Sequence, residues 1–151
     1  GGGFGSRLTD EVREKRGLTY GIYSYIARLG VTEYFGGSVA SANQTIAEVI
    51  AVVKDEWKRM AEGGVTKVEL ENAKRYLTGS YPLRFDGNAK IAGVMTGMQI
   101  DGFVPDYINT RNDRLNAVTL EDVARVSQAY LKPDELRFVV VGEPEGVSPL
   151  N

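Results

Sequence analysis

Arg13 and Tyr20 stand seven positions apart, on either side of Gly17. A guanidinium carries five N–H donors and no acceptor, a phenol adds one O–H, and neither titrates near neutrality. Brought to a common rim, the two could stabilise negative charge developing on a carbonyl oxygen. By residue type alone a plainer reading stands ahead, with Arg13 a surface ion-pair former and Tyr20 a half-buried strand aromatic. The opening Gly1-Gly2-Gly3-Phe4-Gly5-Ser6 invites a phosphate-loop reading and fails it. It has no G-x-x-x-x-G-K-[ST], Ser6 occupies the place of the last glycine in G-x-G-x-x-G, and no strand precedes. Backbone N–H groups at the following helix start could hold an anion, but a flexible loop tightening into a helix is the simpler account. Tyr20, Tyr23, Tyr25 and Tyr34 could line a peptide groove, although tyrosine is common on sheets for packing reasons. Arg84, Asp86 and Asn88, behind Pro82, read as a polar turn.

Other chemistries lack their residues. The chain of 151 residues has neither His nor Cys. It therefore has no thiolate or imidazole zinc ligand, no cysteine nucleophile, no His-based triad, and neither H-E-x-x-H nor its inverse H-x-x-E-H. No D-x-D-x-D-G calcium loop occurs, and the acids are scattered. Eighteen Lys and Arg against twenty Asp and Glu leave a net charge of −2. That balance offers no cationic field for a phosphate backbone, so nucleic acid is not an expected partner. No apolar run approaches the length of a membrane span. Without cysteine the composition does not select a redox compartment. Periplasm and cytoplasm both stay open, with the periplasm favoured of the two.

The elements that must position these groups follow from periodicity. Leu8 and Val12 share a helical face, acids come early and bases late, and Gly17 is the expected residue after the end, so a short helix covers residues 7–16. Residues 18–28 (LTYGIYSYIAR) and 32–42 (TEYFGGSVASA) read as strands of a hairpin turning at Gly30, with a bulge at Gly36-Gly37. From Gln44 the period changes to that of a helix, with Ile46, Val49, Ile50, Val53, Trp57 and Met60 on one stripe. Thr66 and Glu69 fit a capping box for a second helix, which Pro82 ends or bends. Ile91, Val94, Met95 and Met98 mark a third helix, closed by Gly102, and the two methionines read as core. Pro105 opens a fourth, and Thr119 caps a fifth that Pro133 stops. Residues 136–141 (LRFVVV) read as a last strand, and 143–151 as a loop tail. The expectation is α+β, helices packed on a mainly antiparallel sheet. Three strands are too few to cover this much helix.

The ordered set Gly1–Leu8, Glu11–Tyr20, Gly64–Leu70, Ala73-Lys74, Val118–Val123 and Val139–Gly142 resembles the second domain of M16 (insulinase/pitrilysin-like) zinc peptidases. It is most similar to the bacterial short-chain group related to mitochondrial processing peptidase, over nearly the whole chain. The resemblance implies one partial domain over residues 1–151, with its first strands before Gly1. It also implies a clamshell of two halves around an unfolded peptide. One half holds an inverted H-x-x-E-H zinc site. The other contributes an Arg and a Tyr that reach the substrate carbonyl, here Arg13 and Tyr20. On this resemblance the chain carries no metal or cofactor of its own, and zinc belongs to a partner domain or subunit. The expected partners are that zinc-bearing M16 domain or subunit, in a homo- or heterodimer, and the peptide substrate. The chain alone would be inactive. The alternative is a catalytically inert scaffold subunit of an M16-like complex.

Overall fold

A computed structural model describes residues 1–3 and 5–148. Phe4 and the last residues of the expected tail, 149–151, lie outside the described residues. The chain divides into two compact units, one of residues 1–62 with 128–151 and one of residues 63–127.

In the first unit the glycine-rich opening tightens into a helix. Ser6 N donates to Gly3 O at 3.1 Å, and Thr9 Oγ1 donates to the same carbonyl at 3.1 Å. The helix, Thr9–Glu14, is of the wide π type rather than the α-helix its sequence predicts. Lys15 N bonds Asp10 O at 2.9 Å, one residue beyond α spacing. Leu18 N then reaches back to Val12 O at 3.0 Å while Gly17 takes φ +63°, so the broadened turn and the left-handed glycine form one device for reversing the chain.

Strand β1 (Ile22–Arg28) and strand β2 (Glu33–Val39) pair antiparallel, Ile22 opposite Val39 and Arg28 opposite Glu33. Both are shorter than their β-rich sequences predict, and Tyr20 lies in the bend before β1. The register runs unbroken through Gly36 and Gly37, so no bulge forms there. The glycines serve close approach instead. A Cβ on Gly37 would stand 2.7 Å from the Tyr23 carbonyl oxygen, and one on Gly36 would stand 2.9 Å from the Tyr25 ring. Helix α1 (Ile46–Gly63) lays its apolar stripe on the hairpin, with Trp57 edge-on to Phe35 at 5.9 Å. Leu8, Val12, Ile22, Val49 and Val52 form the buried core of this unit. Residues 136–141 are held near both ends, by Glu135 N to Lys132 O and Glu145 N to Asn43 O, but form no strand. A strand exists only through a neighbour, and none is paired with this stretch among the described residues.

The second unit is helical: α2 (Lys67–Gly79), α3 (Asn88–Ile100), α4 (Tyr107–Ala117) and the start of α5 (Leu120–Tyr130). The Thr66–Glu69 capping box is present in both directions, and Thr119 and Asp122 make the same reciprocal pair before α5. Pro82 sits in a 3₁₀ turn, Tyr81–Phe85, whose Tyr81 is buried under the Arg111 guanidinium at 4.0 Å. Of the two methionines expected in the core, Met98 is buried and Met95 is half-buried.

Candidate functional site

The bracket from Arg13 to Tyr20 is built by hydrogen bonds rather than by packing. Val12 anchors the π-type helix, fully buried, and Arg13 projects beside it with its side chain 35% exposed. Its Nε lies 3.5 Å from Glu14 Oε1. Beyond Gly17 the chain is pinned to the end of the hairpin from both sides. Ser41 Oγ donates to Leu18 O at 2.7 Å, and Thr19 Oγ1 donates to Ala40 O at 2.7 Å. Thr19 Oγ1 also accepts from Gly21 N at 3.1 Å. Tyr20 is therefore carried on a fixed bend, yet its side chain is 99% exposed.

This corrects the expectation of a half-buried strand aromatic. Tyr20 packs on nothing, because the strand starts two residues later and the bend turns its side chain out to water. The turn thus joins the two elements that carry Arg13 and Tyr20, but the structure does not pack the two side chains against each other. The tyrosines named with Tyr20 as a groove are exposed on the hairpin, Tyr23 and Tyr25 on β1 and Tyr34 on β2.

One feature beside Arg13 went unread in the sequence. Glu11, only 14% exposed at its side chain, accepts from Lys15 Nζ at 2.6 Å and Arg16 Nη1 at 2.7 Å, with Arg59 Nη1 of α1 at 4.0 Å. The bonds from Lys15 and then Arg16 hold its carboxyl down at about 2. Lys15 also bonds Asp10 at 2.8 Å, and that contact, with Glu11 second, raises the lysine's pKa. The Glu11–Lys15 spacing is a helix-pair signal that a sequence can show; the approach of Arg59 is tertiary and gives no local signal.

These carboxylates are committed to cations and are not free to ligate a metal. Among the described residues no group of three or more His, Cys, Asp and Glu side chains is placed to hold one. Among the described residues no helix is long and apolar enough to cross a membrane. The residues present do not fit a zinc site. What the bracket offers is donors: a guanidinium and a fully exposed phenol on a rigid frame.

Residues 1–77 match the sequence model of the peptidase M16 inactive domain. A Bacillus subtilis protein described as "uncharacterized zinc protease YmxG" is 33% identical over 153 residues, 99% of this chain and 36% of its own length. A Helicobacter pylori protein described as "non-peptidase homolog YmxG" is 28% identical over 93% of this chain and 33% of its own length. The chain thus spans about a third of the length of the relatives it matches. A crystal structure of a peptidase M16 inactive domain from Pseudomonas fluorescens superposes with a TM-score of 0.78 at 32% identity, covering 89% of this chain and 32% of that one. A Helicobacter pylori protease, at 19% identity and a TM-score of 0.71, shares the fold. The α+β expectation and the sequence resemblance converge on one assignment: the chain belongs to the peptidase M16 inactive-domain family.

Proposed function

We propose that this chain is the donor half of a zinc metalloendopeptidase, in which Arg13 and Tyr20 hydrogen-bond the carbonyl oxygen of the scissile peptide bond. The observation that carries the reading is the fully exposed Tyr20 side chain on a bend pinned by Thr19 and Ser41. An aromatic with no packing role, on a frame held this firmly, is open to a docking partner. Support also comes from the relatives whose descriptions name zinc proteases.

On this reading the zinc and the proton-accepting group belong to a zinc-bearing domain or partner subunit. When bound there, zinc would supply an activated nucleophile and Lewis-acid polarisation. The residues of this chain do the rest. The Tyr20 O–H points one donor at the oxygen on which charge develops. The Arg13 fork adds a fixed positive charge, and its planar geometry lets it bridge carbonyl oxygen and neighbouring backbone. Both groups are donors, so the pair acts as a standing electrostatic cradle for the oxyanion.

The test is peptide cleavage by the assembled enzyme, with bound zinc quantified in each variant. Loss of one oxyanion donor typically lowers kcat by about 10²–10³ fold, and Tyr20→Phe is expected to do so. Arg13→Lys keeps the charge, loses the fork, and also lowers kcat. Wild-type kcat in both variants, with zinc bound, refutes the donor role. It leaves the second reading, a catalytically inert scaffold subunit, which the Helicobacter pylori relative described as a non-peptidase homolog favours.

A further inference from the structure

The π-type turn and the Glu11 cluster account for each other. In an α-helix Lys15 N would take the Glu11 carbonyl; here it takes Asp10 O at 2.9 Å, one residue earlier. The Glu11 carbonyl is met instead by a side chain, with Arg16 Nη1 donating at 2.6 Å. The same nitrogen donates to Glu11 Oε2 at 2.7 Å, so one guanidinium grips both the backbone and the carboxylate of a single residue. At about 3.6 residues per turn, a residue five positions on lies about 140° round an α-helix and faces away from the first. A ring closed at i→i+5 brings it back to the same side. Lys15 is four positions on, and its bond to Glu11 Oε1 at 2.6 Å suits either turn. Arg16 is therefore the tie that favours the wide turn. Arg59 Nη1, 4.0 Å from Glu11 Oε1 and 2.8 Å from Glu56 Oε1, links the cluster to α1.

The width of the turn decides where Arg13 stands. Gly17 N bonds Arg13 O at 2.9 Å, and Leu18 N bonds Val12 O at 3.0 Å. In the Schellman ending of an α-helix, with glycine at the same place, each would reach one residue less far back, to Glu14 and to Arg13. One residue is about 100° of rotation about a helix axis. The two endings thus aim Arg13 differently relative to Leu18 and the pinned bend that carries Tyr20. Val12, fully buried, is the pivot. Glu11 and Arg13 flank it, so holding Glu11 against α1 fixes the roll of the helix and with it the direction of Arg13. We propose that Glu11 and Arg16 are positioning residues for the donor site: their clamp selects the wide turn, and the wide turn aims Arg13 at the substrate carbonyl. The inference rests on the donor reading of Arg13 and adds two residues that touch no substrate. The Arg16 side chain is 37% exposed, and an ion pair so open to water adds little stability, so its distinctive effect is on the shape of the turn.

The test is peptide cleavage by the assembled enzyme, with kcat and KM separated, zinc quantified and the unfolding midpoint measured for each variant. Arg16→Gln is expected to lower kcat about tenfold or more with KM within about twofold, because the donor acts on charge that develops only in the transition state. Lys15→Gln removes ties to two carboxylates, Asp10 and Glu11, yet leaves kcat within about twofold. Its midpoint falls at least as far as that of Arg16→Gln, so lost stability cannot produce the contrast. In an Arg13→Lys background, Arg16→Gln adds little further loss, since a fork already removed cannot be misaimed. Wild-type kcat in Arg16→Gln beside a lowered kcat in Arg13→Lys overturns the clamp and leaves the donor reading standing. Equal losses in Arg16→Gln and Lys15→Gln overturn it too, as do losses in Arg16→Gln and Arg13→Lys that simply add. Wild-type kcat in Arg13→Lys refutes the donor role of Arg13 and the aiming of it together.

Discussion

Replacing Thr19 by Val separates the frame of the bracket from its donors. The two side chains have nearly the same shape, so the change removes the hydroxyl and little else. That hydroxyl donates to Ala40 O at 2.7 Å and accepts from Gly21 N at 3.1 Å. A neutral hydrogen bond contributes about 0.5–1.5 kcal/mol net, and the Ala40 contact is solvent-exposed, so the pair together accounts for about 1–2 kcal/mol. Urea unfolding, read as a shift in midpoint at unchanged slope, measures it. The same loss frees one of the two ties on the bend that carries Tyr20. In the assembled enzyme Thr19→Val is therefore expected to lower kcat several-fold through misplacement of the phenol. A double variant with Tyr20→Phe should cost scarcely more kcat than Tyr20→Phe alone, because a donor already removed cannot be misplaced. An unchanged midpoint refutes the account of the frame. Additive losses in kcat refute its link to Tyr20.

Gly37→Ala drives a Cβ to 2.7 Å from the Tyr23 backbone oxygen and should destabilise by about 1–3 kcal/mol, whereas Gly36→Ala meets only rings that can swing aside and should cost less than about 1; chemical denaturation of the pair checks the contrast. Val12→Ala empties a fully buried site and should lose about 2 kcal/mol or more by the same measurement. The carboxyl of Glu11 is held at about 2 against 4.5 in the unfolded chain, so its contribution to stability is complete above about pH 4.5 and is lost as pH falls toward 2. Glu11→Gln should therefore flatten the acid limb of a pH–stability profile in that window, and an unchanged limb would show the carboxylate to be idle.

The hairpin, the five α-helices, the Thr66–Glu69 capping box and the Thr119 cap were legible because each is written in local periodicity and short-range side-chain bonds. The misreadings share a different cause. Residues 136–141 carry the strand composition in full, but pairing depends on a neighbour whose identity no local pattern contains. The π-type turn at Thr9–Glu14 reads as an α-helix because its apolar spacing, Leu8 to Val12, is that of one. The extra residue in its hydrogen-bonded ring, closed by Lys15 N to Asp10 O, leaves no mark in that spacing. At the candidate site, the sequence singled out Arg13 and Tyr20 by spacing and resemblance but carried nothing of their surroundings. That Tyr20 is bare depends on Thr19 and Ser41 ending the approach before β1 begins, through bonds to Leu18 and Ala40 that link residues more than twenty apart.

The exposure of Tyr20 also limits what the bracket can do by itself. Two unit charges 4 Å apart interact by about 1 kcal/mol in water and about 4 kcal/mol at the effective dielectric of a protein surface, so a donor facing solvent stabilises an oxyanion little better than water does. The same donors gain strength once water is excluded and their positions are fixed beforehand. The ties from Thr19 and Ser41 supply the fixed position. On the proposed reading, exclusion of water comes from a second surface closing over Tyr20. One half then holds rigid donors open to solvent and the other brings the nucleophile. Catalysis then begins only when the halves meet around a peptide, and adding zinc to the 151-residue chain alone should yield no cleavage above the rate of free metal.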